Sequence, residues 1–150
     1  MACPYFYPVE RLSEKAWSMP PRLPLGDPYS GVCRVNPMRE WRPDQATLRD
    51  CCNLGYARKR CPRFPKNDPG PDAVRFTTIG EHNGALRLYY VIEKQRAPLE
   101  HGHLEYSIRD GQFLQAHPSE LVRKQAQAYV ESYLRRKHHP QDRARNPHRR

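Results

Sequence analysis

Proline is distributed unevenly along the chain, and this distribution limits what the first half can form. Twelve of the 16 prolines lie between Pro4 and Pro71, where they interrupt the chain too often for long helices or central strands. A stretch of about 70 residues without regular structure is unusual inside a compact domain, so something besides backbone pairing should hold it. All five cysteines lie in the same stretch, which makes them the natural candidates.

The second half has a hydrophobic pattern that predicts an antiparallel meander. Apolar and polar residues alternate in short runs, as expected for strands with one buried face. The sequence His82-Asn83-Gly84 is typical of a tight hairpin turn, because Asn-Gly tolerates positive φ angles. Strands are predicted near residues 74–77, 86–92 and 104–108, with a loop at 96–98 and a short fourth strand around Phe113 and Leu114.

One long helix is predicted after the strands. Apolar residues from Leu121 to Leu134 recur every three to five positions and form one stripe. Pro118 suits the first turn and Glu120 complements the positive helix N-terminus. Pro140 is expected to end the helix.

Two short helices are predicted in the first half, at residues 10–17 and 45–52, with the remainder as loop. Asp44 is expected to cap the second helix, Leu48 to face inward, and Gly55 to terminate it. The predicted fold class is therefore α+β: a loop-rich, metal-stapled N-terminal half packed on a small antiparallel three- to four-stranded meander with one C-terminal helix.

Three segments follow from this prediction. Residues 1–71 form a Pro/Cys-rich irregular metal-binding half, and residues 72–137 form the sheet and helix, in one compact domain with 1–71. The N-terminal half is expected to wrap the other face of the sheet. Residues 138–150 are predicted to be a disordered basic tail, because residues 135–150 carry seven Lys or Arg against one Asp, which is most of the net charge of +10.

The sequence predicts a cytoplasmic protein. No run approaches the roughly 18 apolar residues of a membrane helix, and the start has no basic region followed by an apolar one. Five cysteines is an odd number, which argues against a complete disulfide framework. In a reducing compartment, such thiols stay free or bind metal.

The cysteines are the strongest indication of function. A metal bound by thiolates supplies folding free energy that a small core cannot, whereas cysteines that merely fill space would be scattered through both halves. Adjacent side chains diverge, so only one of Cys51 and Cys52 should be a ligand. Cys52 is preferred because it lies nearer the helix end, which leaves Cys51 as a core residue and a substitute for Cys52. The predicted ligands are Cys3, Cys33, Cys52 and Cys61.

The spacing of the cysteines favours an iron–sulfur cluster over zinc. Structural zinc usually takes closely spaced cysteine pairs, and the sequence has no Cys-x2-Cys. Cys-Pro occurs at Cys3 and Cys61 and resembles the Cys-Pro that closes ferredoxin ligand runs. Five cations near the predicted ligands would offset the negative charge of a [4Fe–4S]-type cluster: Arg34, Arg58, Lys59, Arg60 and Arg63.

Residues 52–58 also contain Cys-x2-Gly-x2-Arg, which resembles the phosphate loop of cysteine-dependent protein tyrosine phosphatases. The resemblance implies a nucleophilic thiolate at Cys52 and a phosphate-binding Arg58. The sequence departs from that family because Cys51 replaces the usual histidine and Lys59 the hydroxyl residue.

Two other groups are interpreted as structural. His101, His103 and Glu105 would share one strand face, as in a two-histidine, one-carboxylate iron site, but strand alternation alone produces that pattern. The aromatic residues of the first half, including Tyr5 and Trp41, could stack nucleic-acid bases, but are interpreted as core.

Three functions are therefore considered. The leading hypothesis is a non-enzymatic iron–sulfur protein in electron transfer or redox sensing, with a redox protein as partner. The alternative is a zinc-stapled module whose basic tail binds nucleic acid or an acidic partner. Weak non-specific binding of nucleic acid through the tail is expected in either case. A cysteine-dependent phosphatase-like enzyme is the third hypothesis.

Overall fold

The computed structural model describes residues 1–13, 16–17 and 23–138. Within these ranges the elements are β1 (Phe6–Arg11), β2 (Tyr29–Cys33), α1 (Gln45–Thr47), a π-helical turn (Leu48–Cys52), β3 (Ala73–His82), β4 (Ala85–Lys94), β5 (Ala97–Ser107), β6 (Gln112–Gln115) and α2 (Glu120–His138). This mixture of antiparallel sheets and helices confirms the predicted α+β class. The predicted tail is outside the described residues from position 139 onward.

Strands β3 to β6 form the predicted meander, in the spatial order β3-β4-β5-β6 with every pair antiparallel. The hairpin between β3 and β4 turns at Asn83 and Gly84, whose φ angles are 52° and 76°. Both angles are positive, as the Asn-Gly sequence predicted.

The turn between β4 and β5 is tighter than predicted. Gln95 and Arg96 have positive φ angles of 50° and 65°, and β5 begins at Ala97, inside the predicted loop. The backbone N–H of Gln95 donates to the Asp72 carboxylate at 2.9 Å, and that of Arg96 donates to the Tyr56 hydroxyl at 3.1 Å. These two hydrogen bonds help to hold a conformation that non-glycine residues rarely adopt.

Helix α2 covers one face of this sheet, as predicted. Tyr129 packs on Phe76 with ring centroids 5.7 Å apart, and its hydroxyl accepts a hydrogen bond from the Thr78 N–H at 3.0 Å. Pro118 lies just before the helix instead of in its first turn, because Ser119 stands immediately ahead of the first helical residue. The predicted stop at Pro140 is outside the described residues.

The small β1–β2 sheet was not predicted. Its two antiparallel strands pair Phe6 with Cys33 and Arg11 with Tyr29, with a bulge after Pro8. The helix predicted at 10–17 is therefore wrong at Glu10 and Arg11, which lie in β1; positions 14 and 15 are outside the described residues. A two-stranded ribbon tolerates Pro8 because one edge of the strand needs no partner.

The described part of the N-terminal half packs mainly on α2 and on the edge of β3, and not across the open face of the sheet as expected. Ala2 forms an antiparallel bridge with Val74, with N–H···O distances of 2.7 and 2.8 Å. The open face remains largely exposed at Arg87, His101 and His103. Buried residues from both halves form one hydrophobic cluster.

Candidate metal centre

The five cysteines come from four separate places in the fold. Cys3 follows the residue that bridges to β3, and Cys33 ends β2. Cys51 and Cys52 are the last residues of the π-helical turn, and Cys61 follows a turn in which its N–H donates to the Ala57 carbonyl at 2.7 Å. All five thiols are free.

These thiols meet in one cavity of about 20 Å³. We call it the cysteine cavity. Its other walls are apolar or aromatic, and no carboxylate or histidine is among its described lining residues. The cavity is lined by Cys3, Phe6, Cys33, Val35, Trp41, Cys51, Cys52, Ala57, Cys61 and Phe64. Sulfur is therefore the donor that these walls offer to a metal.

The π-helical turn explains how two adjacent cysteines line the same cavity. The Asn53 N–H donates to the Leu48 carbonyl, five residues earlier, at 3.0 Å, and this wider turn rotates successive side chains differently from an α-helix. Asp44 caps the preceding α1 by accepting from the Thr47 N–H at 2.8 Å, as predicted. The expectation that Cys51 would point away from Cys52 is therefore wrong. The positions of Cys51 and Cys52 alone do not show which of the two is the ligand.

Asn53 fastens this turn to strand β2. Its side chain is buried, accepts from the Tyr29 N–H at 3.1 Å, and donates to the carbonyls of Tyr29 and Leu48 at 3.0 and 2.9 Å. Because β2 ends at Cys33 and the turn ends at Cys52, Asn53 fixes two cysteine-bearing segments relative to each other. No sequence pattern identified Asn53 as the residue that fixes the π-helical turn to β2.

Gln125 fastens the Cys3 segment to helix α2. Its buried side-chain amide donates to the carbonyls of Cys3 and Phe6 at 2.8 and 2.7 Å. On the other side, the Cys3 N–H donates to the Cys52 carbonyl at 3.0 Å. A glutamine inside the apolar stripe of α2 was the available sequence indication, and it was missed.

Burial is the main influence on the ionisation of the thiols. It raises the pKa of Cys3 and Cys52 far above the ordinary value, and the neighbouring thiols raise it further. Burial also raises the pKa of Cys33 and Cys51, and nearby arginines offset only part of the increase. These thiols are therefore neutral at physiological pH unless a bound cation stabilises the thiolates.

The thiols share a cavity without converging on one point. Across the part of the chain that the structure describes, no three His, Cys, Asp or Glu side chains form a group that could hold a metal ion. Four sulfurs around one zinc at about 2.3 Å must lie about 3.8 Å from each other. The cysteine cavity is therefore not a preformed site for a single ion.

The arginines around the cavity are only partly placed as predicted. Arg63 lies over the Trp41 ring at 4.3 Å and acts electrostatically on Cys33. Arg60 donates to the Gly55 carbonyl at 2.8 Å and acts on Cys51. Two further arginines are engaged elsewhere.

Arg34 lies over the Tyr7 ring at 3.7 Å and forms ion pairs with Glu40 and Glu120 at 3.2 and 3.3 Å. Arg58 lies over the outer side of the cavity wall, with its guanidinium 4.8 Å from the centre of the Phe64 ring. Lys59 is exposed.

Arg58 organises the loop at 65–70 and does not form a phosphate site with Cys52. Its guanidinium donates to the Asp72 carboxylate at 3.0 Å, and to the carbonyls of Asp68 and Gly70 at 2.7 and 3.2 Å. A phosphate loop needs a thiol of lowered pKa beside a free guanidinium. With the pKa of Cys52 raised and Arg58 engaged, the geometry does not favour the phosphatase-like hypothesis.

The histidines of β5 share one exposed sheet face, as strand alternation predicts. The Tyr89 ring lies beside both, with centroid distances of 5.8 Å to His101 and 5.4 Å to His103. Glu105 lies 3.9 Å from Arg87. This arrangement matches the structural interpretation of these residues.

A buried histidine that the sequence analysis overlooked lies at His117. Its Nδ1 accepts from the Ser119 N–H at 2.9 Å, so Nε2 carries the proton and donates to Glu100, which also accepts from the Tyr90 hydroxyl at 2.9 Å. Both ring nitrogens are occupied, which suits a structural role in joining the sheet to α2.

No protein family, curated protein or solved structure matches the chain. None of the described helices is long and apolar enough to cross a membrane. What the protein does must therefore be inferred from the cysteine cavity and its surroundings.

Proposed function

We propose that the protein is a [4Fe–4S]-type iron–sulfur protein acting in electron transfer or redox sensing. Cys3, Cys33, Cys52 and Cys61 are its ligands, and Cys51 is the substitute for Cys52. The observation that carries the proposal is that all five cysteines, from four separate segments, line a single apolar cavity.

The donor set fits a cluster in kind and number. A [4Fe–4S] cluster is held by four cysteine thiolates, each on a different iron, so the cysteine sulfurs lie farther apart than around one ion. Five thiols on four separate segments supply the four ligands that such a cluster needs, with one to spare. The backbone N–H groups of Phe6 and Val35 donate to the sulfurs of Cys3 and Cys33, and hydrogen bonds of this kind tune such clusters.

The size of the cavity points the other way. A volume of about 20 Å³ is close to that of a site for one water-sized atom, whereas a cluster adds eight atoms. Loading therefore requires the cysteine loops to move outward. The donor set still favours a cluster, because loops can relax but the number and type of ligands cannot change.

When bound, the cluster would supply reversible one-electron chemistry. The protein's own residues would control its surroundings. Phe6, Trp41 and Phe64 exclude water from the sulfurs, and Arg60 and Arg63 offset the negative charge of the thiolates. Together these are the main means by which a protein sets the potential of such a centre.

The second candidate, a zinc-stapled binding module, is favoured by the same small volume, which suits one ion. Four of the five thiols would then have to close around it. Its proposed nucleic-acid or acidic partner would meet the basic tail, which is outside the described residues from position 139. The phosphatase-like enzyme remains the third candidate.

Anaerobic purification followed by absorption spectroscopy and metal analysis tests this ranking. We expect a brown protein with broad thiolate-to-iron absorption near roughly 400 nm and about four irons per chain. A matched variant with Cys3, Cys33, Cys52 and Cys61 replaced by serine should be colourless. Stoichiometric zinc would replace the iron proposal by the alternative, and the absence of any metal would defeat both.

A further inference from the structure

A basic segment of the sequence supplies much of the wall of the cysteine cavity. Residues 34–63 carry eight Lys or Arg against three Asp or Glu, a net of +5. Residues 1–134 as a whole carry a net of +4, so the remainder of that range nets −1. Six of the ten residues that line the cavity belong to this basic segment.

The acidic residues of this segment are all engaged locally. Glu40 pairs with Arg34, Asp50 with Arg49 at 2.8 Å, and Asp44 accepts from a backbone N–H at the start of α1. The cations nearest the cavity have different contacts. Arg60 donates to backbone carbonyls and also acts electrostatically on Asp50. Arg63 lies over an aromatic ring, a contact that leaves its positive charge uncompensated.

An apolar centre lies among these cations. Cys33 is the half-buried thiol of the five, and its backbone pairs with Trp41 through N–H···O contacts of 2.7 and 3.3 Å. The loop closed by this pair carries Met38, whose side chain is 92% exposed. We call the surface formed by Cys33, Met38, Trp41, Arg60 and Arg63 the mouth face.

We propose that the mouth face docks an acidic one-electron carrier protein. This inference rests on the proposed function, since one electron would pass between the cluster and the carrier without any bond being made or broken. An apolar centre bordered by charge is the arrangement of a protein–protein interface, and opposite charge on the carrier would speed the encounter.

A protein partner fits this face better than a nucleic acid. Bases stack on open aromatic faces, but Arg63 already covers Trp41 and Arg34 already covers Tyr7. A base would have to displace a guanidinium from each ring. Met38 offers a flexible apolar contact that suits a protein surface.

The first arm of the test uses metal-free protein, so it does not depend on the cluster. The half-buried Cys33 thiol should react before the buried thiols, in a fast phase, with an aromatic disulfide dianion, dithionitrobenzoate, and with neutral dithiodipyridine. Loss of this fast phase in Cys33→Ser identifies the reacting thiol as Cys33. We expect the ratio of the dianion rate to the neutral-reagent rate to be roughly threefold or more higher at low ionic strength than at high ionic strength. The increase should vanish near about 1 M salt, where the Debye length is about 3 Å.

Two charge-matched variants locate the effect. Arg63→Gln should remove much of the rate increase, whereas Arg109→Gln, an exposed position between β5 and β6, should leave it unchanged. Equal rates for both reagents, or equal effects of the two variants, would overturn the proposed docking face whatever metal the protein binds.

The second arm uses the iron-loaded, reduced protein. Oxidation by the trianion hexacyanoferrate(III) should slow with added salt and in Arg63→Gln, and oxidation by the trication tris(phenanthroline)cobalt(III) should not. If the thiol reaction is charge-selective but the protein holds no iron, the proposed function fails, and the electron-carrier partner is refuted with it. Tight binding of a short single-stranded oligonucleotide, below roughly 10⁻⁶ M, that protects Cys33 would overturn the proposal in favour of nucleic acid.

Discussion

Replacing Asn53 with alanine should destabilise the protein strongly, although the residue touches no metal. The change removes three buried hydrogen bonds, one from the Tyr29 N–H and two to the carbonyls of Tyr29 and Leu48. Each is worth about 1 kcal/mol net, and more where the partner stays buried without a replacement. We therefore expect the free energy of unfolding to fall by about 3 kcal/mol.

Urea unfolding followed by circular dichroism measures this change. With an m-value of about 2 kcal/mol per molar urea, the midpoint should fall by about 1.5 M. Asn67→Ala, at an exposed asparagine, is the control and should shift stability by no more than about 0.5 kcal/mol. A loss below about 1 kcal/mol in Asn53→Ala would refute the argument that this side chain fixes the π-helical turn to β2.

Three further predictions concern other parts of the chain. Cys52→Ser should abolish stoichiometric metal binding and Cys51→Ser should retain it at a cost of about 1–3 kcal/mol, as measured by metal analysis and urea unfolding; the reverse outcome would exchange their roles. Arg58→Lys should lower stability by about 2 kcal/mol, because one ammonium cannot replace a fork that bonds Asp72 and several carbonyls; an unchanged urea midpoint would show that the fork is dispensable. The hydrogen bond from His117 lowers the pKa of the Glu100 carboxyl, so this pair stabilises the protein above the ordinary pKa of 4.5 and the stabilisation is lost as the pH falls below that value. Glu100→Gln should therefore flatten the acid side of the stability–pH curve, and a curve of unchanged shape would exclude this contribution.

The second half was predictable because its sequence and its structure obey the same local rules. Alternation placed β3 to β5, the Asn-Gly pair placed the first hairpin, and the apolar stripe placed α2. The exception was the turn at Gln95 and Arg96, where neither residue favours a positive φ angle. That turn depends on hydrogen bonds that its backbone N–H groups donate to Asp72 and Tyr56, which local patterns cannot report.

The first half was predicted in content more than in shape. The concentration of cysteine indicated that the thiols belong together, and they do line one cavity. The β1–β2 ribbon was missed because Pro8 argued against a strand, and the π-helical turn was missed because no local pattern marks it. The side chains that position the cysteines, Asn53 and Gln125, act through partners that are distant in sequence.

The contact between Gln125 and the carbonyl of Cys3 joins residues 122 positions apart. The position of Cys3 in the cavity therefore depends in part on α2 being docked against the first half. Non-local contacts of this kind slow folding. A change in α2, which contributes no thiol of its own, would therefore be felt at the cysteine cavity.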